Sequence, residues 1–231
     1  MYGLNAVALV FFVCINVLAY HLCKCPESKQ KKAVSVLCKV LLFGNLLRYC
    51  VVYPLIQGVV VLPVEFSTVA YFIVPVILLQ SKNQLHSWAA YSGLMAGFFY
   101  YMAMVIVGGP LYATEPPVDV YLSMFCHGTI YFCGFVTIAT EVYSKKDAPK
   151  LALGVALVAV RAAVLRPFVV GSNRLLIYIL LDAVVVRQLF PQSVWTFALP
   201  AYYIAIPAFV LMTIRGFFRK NQKQYRTFSA V

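Results

Sequence analysis

Four ionisable side chains stand inside long apolar runs of this chain: Arg48, Glu65, His127 and Arg161. A charge in hydrocarbon is costly unless it is paired or hydrated, so each is a candidate for function. Lys39 lies close enough to the end of its run to snorkel out. Imidazole is the usual mover of protons near neutral pH, and a hydroxyl within its reach makes a nucleophile–base pair. His127 lies in MFCHGTIYF directly before Gly128, where a neighbouring helix or a lipid chain can approach closely. Ser67, Thr68 and Thr129 are the candidate hydroxyls, against the common habit of membrane Ser and Thr of bonding their own backbone.

The elements that must hold these groups follow from composition. Of the 231 residues, 63% are hydrophobic and 11% charged, with a mean hydropathy of +0.86. A soluble domain is about 45–50% apolar and about 25% charged, which excludes that class. No GxxxxGK[ST] loop or GxGxxG turn is present, and no soluble catalytic domain fits beside the apolar runs. The expected fold is an all-α polytopic membrane bundle, residues 1–220, with a short basic cytoplasmic tail, 221–231.

Seven spans are expected, at about 4–22, 34–57, 63–80, 85–108, 118–143, 149–171 and 198–218, each near the ~20 residues a bilayer needs. Breaks fall at CKCPESKQKK, Gln57–Gly58, Ser81–Lys82–Asn83, Gly108–Gly109–Pro110 with Glu115–Pro116–Pro117, and Ser144–Lys145–Lys146. The stretch from Arg174 to Val194, with Asp182 inside LLIYILLDAVVV, reads as interfacial or partly inserted, and an eighth span stays open. One side collects thirteen Lys and Arg, around 24–32, 82, 145–150 and 215–226, and the other only Arg166, Arg174 and Arg187. That asymmetry places the N-terminus outside and the C-terminus in the cytoplasm. The net charge of +12 is thereby absorbed by topology, and nucleic acid is not an expected partner. The first span carries its positive charges after the apolar stretch and is expected to remain as an anchor.

At a rise of about 1.5 Å per residue, Arg48 and His127 lie about 13 Å below the outer boundary, Arg161 about 15 Å, and Glu65 and Ser67 roughly 3–6 Å. All four ionisable groups fall in the outer half of the membrane. One polar pocket between spans 2, 3, 5 and 6 explains this, as do structural ion pairs such as Glu65 with Arg48. Cys23, Cys25 and Cys38 lie near the cytoplasmic face, and Cys14, Cys50, Cys126 and Cys133 within spans. His21, Cys23 and Cys25 lack the spacing of a zinc site and read as packing or lipidation residues; no metal or cofactor is expected.

The third and fifth spans carry a resemblance. LPVEFSTVAYFIVPVILL resembles the LPxHxCs…lP segment of the YwaF-like integral membrane proteins, and FCHGTIYFCGF resembles that family's SHG motif. GSNRLL at Gly171 to Leu176 resembles its G-x-N-Y stretch, and YYI at Tyr202 to Ile204 suits its aromatic last span; the match covers about 35–218. Eukaryotic relatives include a multi-span acyltransferase that remodels ether phospholipids with a Cys and a His. Related intramembrane lipid hydrolases use Thr and His. The resemblance implies Ser67 as nucleophile and His127, 60 residues later, as base, with the family's first-motif His replaced by Glu65. A serine needs an adjacent base where a cysteine does not, and Glu65 can orient His127 or pair with Arg48 or Arg161.

Three functions are consistent with these residues. In a lipid acyltransferase or ester hydrolase, Ser67 attacks, His127 takes and returns the proton, and Glu65 holds the imidazole. Arg48, Arg161 and Asn173 then bind substrate, an arginine facing the phosphate or the oxyanion. In a small transporter or binding protein for an anionic solute, the arginines are counter-charges, although no internal repeat is evident. In an accessory subunit, none of them does chemistry. Expected partners are membrane lipids and an anionic small molecule or phospholipid, the expected place is a bacterial inner membrane, and the oligomeric state stays open.

Overall fold

The computed structural model describes residues 2–58, 66–80, 84–111, 116–141, 143–165, 183, 186–187 and 190–228, with backbone alone at 2, 107–111 and 219–228. Among them are seven α-helices and no strand. They are α1 (Tyr2–Cys23), α2 (Glu27–Leu47), α3 (Phe66–Leu78), α4 (His86–Leu111), α5 (Pro117–Thr140), α6 (Ala148–Leu165) and α7 (Trp195–Phe228). All but α3 give segments long and apolar enough to cross a bilayer. Phe43, Ile106, Phe197 and Ile204 are each more than 70% exposed, which water would punish and lipid tails accept. The chain is an integral membrane protein.

The second helix begins at Glu27 rather than near 34, because Pro26 precedes an acidic first turn and the KQKK stretch is itself helical. Beyond Leu47 the same rod continues as a nine-residue π-helix, Arg48–Ile56, with Pro54 inside it. Proline removes one N–H and its ring presses on the carbonyl four residues back, and widening the helix to i→i+5 bonds relieves both. The rod ends at Gln57, and Gly58 turns away with φ +67°. Gly108–Gly109–Pro110, expected to break the chain, lies inside α4, which runs on to Leu111.

The chain divides into two compact units, Met1–Gly58 with Ala70–Glu141, and Val59–Val69 with Val142–Val231. In the first, α5 is the centre. It meets α4 along a seam of glycines: a Cβ on Gly93 would stand 2.6 Å from the Ile130 carbonyl oxygen, and one on Gly134 would stand 2.7 Å from that of Ala90. Helices approach this closely only where side chains are absent. Gly128 faces α1, where a Cβ would meet Ile15 Cδ1 at 2.6 Å, so the close approach expected at this residue is that of a helix.

A further face of α5 packs antiparallel on the α2 rod, and polar pairs mark three levels. Cys38 faces Cys133 with sulfurs 3.9 Å apart, Asn45 Nδ2 lies 3.7 Å from Cys126 Sγ, and Arg48 meets Asp119 at 2.8 Å. The first two levels are seven residues apart on both helices, the repeat that returns the same faces of two packed helices to each other.

In the second unit, Ser144 accepts the Lys146 N–H at 3.2 Å and starts the 3₁₀ turn Lys145–Asp147 that leads into α6. Leu151, Val158 and Ala162 form the buried stripe of α6, and Tyr143 stacks on Phe217 of α7 with centroids 5.7 Å apart. Of the stretch 174–194, Val186 and Arg187 are helical and Gln192–Val194 forms a 3₁₀ turn, while 174–182, 184–185 and 188–189, like the break at Ser81–Lys82–Asn83, lie outside the described residues.

Candidate functional site

His127 is fixed by groups from three helices. On its own helix, Nδ1 lies 2.8 Å from the Ser123 carbonyl oxygen and 3.3 Å from Ser123 Oγ. From α3, Tyr71 Oη approaches the ring edge, 2.6 Å from Nδ1 and 3.1 Å from Nε2. From α4, Tyr100 stacks on the imidazole with centroids 3.6 Å apart and planes 9° from parallel. His127, Tyr71 and Tyr100 are all buried.

A buried imidazole without partners would be costly, and here both nitrogens have them. A carbonyl can only accept, so Nδ1 carries the proton toward Ser123 O. Nε2 is then the basic nitrogen, and Tyr71 Oη lies within hydrogen-bond reach of it at 3.1 Å. Ser123 Oγ also bonds the Tyr71 side chain. Hydrogen bonds thus link Ser123, Tyr71 and His127, with the ring orientation set by a main-chain carbonyl.

Local sequence explains the placement. Pro75 follows Tyr71 by four residues inside α3 and leaves the Tyr71 carbonyl without its helical N–H donor. Gly97 on α4 allows the crossing that brings Tyr100, one turn on, over the ring; a Cβ there would stand 2.6 Å from the His127 carbonyl oxygen and would collide with Tyr131 Cβ. Tyr101 donates to the Met124 carbonyl at 2.7 Å and ties the same two helices together.

Arg48 is held by Asp119 at 2.8 Å and lies over the Tyr53 ring, 5.0 Å from its centroid. The Arg48 side chain is 13% exposed and that of Asp119 31%, so the pair is partly withdrawn from its surroundings. Asp119 lies in the first turn of α5, higher than the depth expected for Arg48. The long guanidinium arm closes that difference. The π-helix assists, since its wider turns advance less per residue.

Of the residues singled out by sequence, His127 and Arg48 belong to the first unit. Ser67 stands half-buried on the first turn of α3, in the residues of the second unit, and Tyr71 follows it by one turn on that helix. Arg161 is half-buried on α6 of the second unit. Glu65 and Asn173 lie outside the described residues. Thr129 Oγ1 donates to the Phe125 carbonyl at 2.8 Å, bonding its own helix.

Tyr71, Tyr100, Ser123 and Asp119 were not evident from sequence reasoning. Asp119, Ser123 and His127 recur every fourth residue in DVYLSMFCH, so they share one face of α5, a spacing readable in advance. The tyrosines carry no such signal, since aromatic residues are frequent throughout the chain.

Comparison with protein-family models, curated proteins and solved structures finds no match to this chain. Fold and site together define a class: a polytopic α-helical membrane protein whose first unit holds a buried histidine and tyrosines bonded to a half-buried serine.

Proposed function

We propose that this chain is a seven-span membrane enzyme of a bacterial inner membrane, N-terminus outside, that transfers or hydrolyses acyl groups on lipid. The observation that carries the reading is the His127 imidazole, buried among apolar helices, oriented through Nδ1 by a carbonyl and basic at Nε2. That is the arrangement a general base requires. The resemblance of the Ser67 and His127 segments to the YwaF-like proteins supports it from sequence. So does the charge asymmetry between loops, which orients the chain.

In this reading Ser67 supplies the attacking hydroxyl, His127 takes its proton and returns it to the leaving group, and Glu65 assists. Arg161 and Asn173 bind the phosphate of the lipid. The Arg48 guanidinium already has a carboxylate partner, so it contributes position more than free charge. The same pairing weakens the alternative of an anion transporter, which needs uncompensated arginines.

The test is lipidomics on membranes expressing the native chain, Ser67→Ala, His127→Ala or Tyr71→Phe at equal abundance. The expected result is an acyl-chain change with the native chain that is absent with Ser67→Ala and His127→Ala and reduced with Tyr71→Phe. Identical profiles in all strains, including one lacking the protein, would overturn the reading.

A further inference from the structure

One face of α5 carries Asp119, Ser123 and His127 at four-residue steps, from the partly exposed first turn of the helix to the buried ring. Two of the links are formed: Ser123 Oγ bonds Tyr71, and Tyr71 Oη lies against the ring edge of His127, 2.6 Å from Nδ1 and 3.1 Å from Nε2. The remaining step, Ser123 to Asp119, is one helical turn, about 6 Å of rise, which a single bridging water spans. Asp119 is the only carboxylate among the described residues of α5 up to His127, and Arg48 holds it beside this line at 2.8 Å. The groups facing His127 from other helices, Tyr71 and Tyr100, carry no charge that would block a proton.

We infer that Tyr71, Ser123 and Asp119 form a proton path between His127 and the N-terminal end of α5. The inference rests on the reading of His127 as a base, because a base must be unprotonated at the start of each turnover and a buried ring equilibrates with its surroundings only along a chain of hydrogen-bonding groups. A proton on Nε2 passes to Tyr71 Oη as the phenol gives its own to Ser123 Oγ. The serine gives its own, through the water, to the Asp119 carboxylate. One proton leaves the ring and one arrives on Asp119, and only N–H and O–H bonds change. In reverse, the same path reloads the ring. Ser123 and Asp119 are thereby positioning residues, acting through Tyr71 on His127.

The chain has three histidines, which makes the path observable without any substrate. In protein labelled with nitrogen-15 histidine and reconstituted in lipid nanodiscs, exchange of a proton between His127 Nε2 and water is read from the ring nitrogen resonances. Native protein is expected to show this exchange, Ser123→Ala and Asp119→Asn to lose it, and Ser123→Thr and Asp119→Glu to keep it. The resonances of His86, which lies 3.1 Å from Glu141 at the other end of α5, report that each variant is folded. Should Asp119→Asn disturb them by releasing Arg48, Ser123→Ala against Ser123→Thr decides. Absence of exchange in native protein, or equal exchange in native, Ser123→Ala and Asp119→Asn proteins, would overturn the path. Loss of the lipid phenotype with exchange intact would remove the enzymatic reading and leave the path standing; the converse would remove the path alone.

Discussion

Gly97→Leu is expected to destabilise the protein by about 3 kcal/mol, the upper part of the range for overpacking a close-packed interior. The new Cβ has nowhere to go: one neighbour is the His127 carbonyl oxygen at 2.6 Å and the other is Tyr131 Cβ, neither of which is the free end of a flexible chain. α4 must therefore draw away from α5, and the Tyr100 ring leaves the His127 imidazole with it. Thermal unfolding in detergent, followed by circular dichroism, reads the loss. Gly44→Leu is the contrast, since a Cβ on Gly44 meets nothing within 4 Å. There the better helix propensity of leucine makes the change neutral or slightly stabilising. Equal effects at the two positions would contradict the close α4–α5 crossing.

Arg48→Met is expected to cost about 2 kcal/mol, less than the full penalty for breaking a buried ion pair because Asp119 keeps part of its solvation. The loss arises chiefly from the carboxylate left behind rather than from the departed charge. Asp119→Asn should cost about 1 kcal/mol, and the double variant less than the sum of the two, with a coupling of about 1 kcal/mol. Strict additivity in the same unfolding assay would mean that the 2.8 Å contact contributes nothing. The functional consequence differs between the partners. Removing Asp119 also removes the terminus of the inferred proton path, whereas removing Arg48 leaves the Ser123–Tyr71–His127 links in place.

Much of this molecule is legible in its sequence. Apolar runs separated by basic loops identify a membrane bundle because a bilayer leaves the backbone few alternatives to the helix. His127 and Arg48 announced themselves for a related reason: a titratable group in hydrocarbon is improbable without a use. The glycine beside His127 was correctly read as a point of close approach. The breaks at Gln57–Gly58 and Ser144 were placed by the same local rules. At Gly108–Gly109–Pro110 they place the break a few residues early, since α4 runs on to Leu111 before α5 begins at Pro117.

Partners were another matter. Beside the Ser67, Thr68 and Thr129 that the sequence offers as hydroxyls for His127, the structure adds Tyr71 and Ser123. For Arg48 the structure supplies Asp119, from the turn where α5 begins, while Glu65 lies outside the described residues. Nor could the π-helix at Arg48–Ile56 be read from Pro54 alone, since proline in a membrane helix is accommodated in several ways.

Taken by itself, the sequence determined that the chain lives in a membrane, which stretches of it are helical, and which side chains are too polar to be there by accident. These follow from local free energies of transfer and backbone hydrogen bonding, quantities that each segment settles alone. Only the tertiary structure decided which polar groups meet. That depends on the crossing of α3, α4 and α5 and on helix rotation, where a shift of one residue turns a side chain through about 100° and exchanges one partner for another.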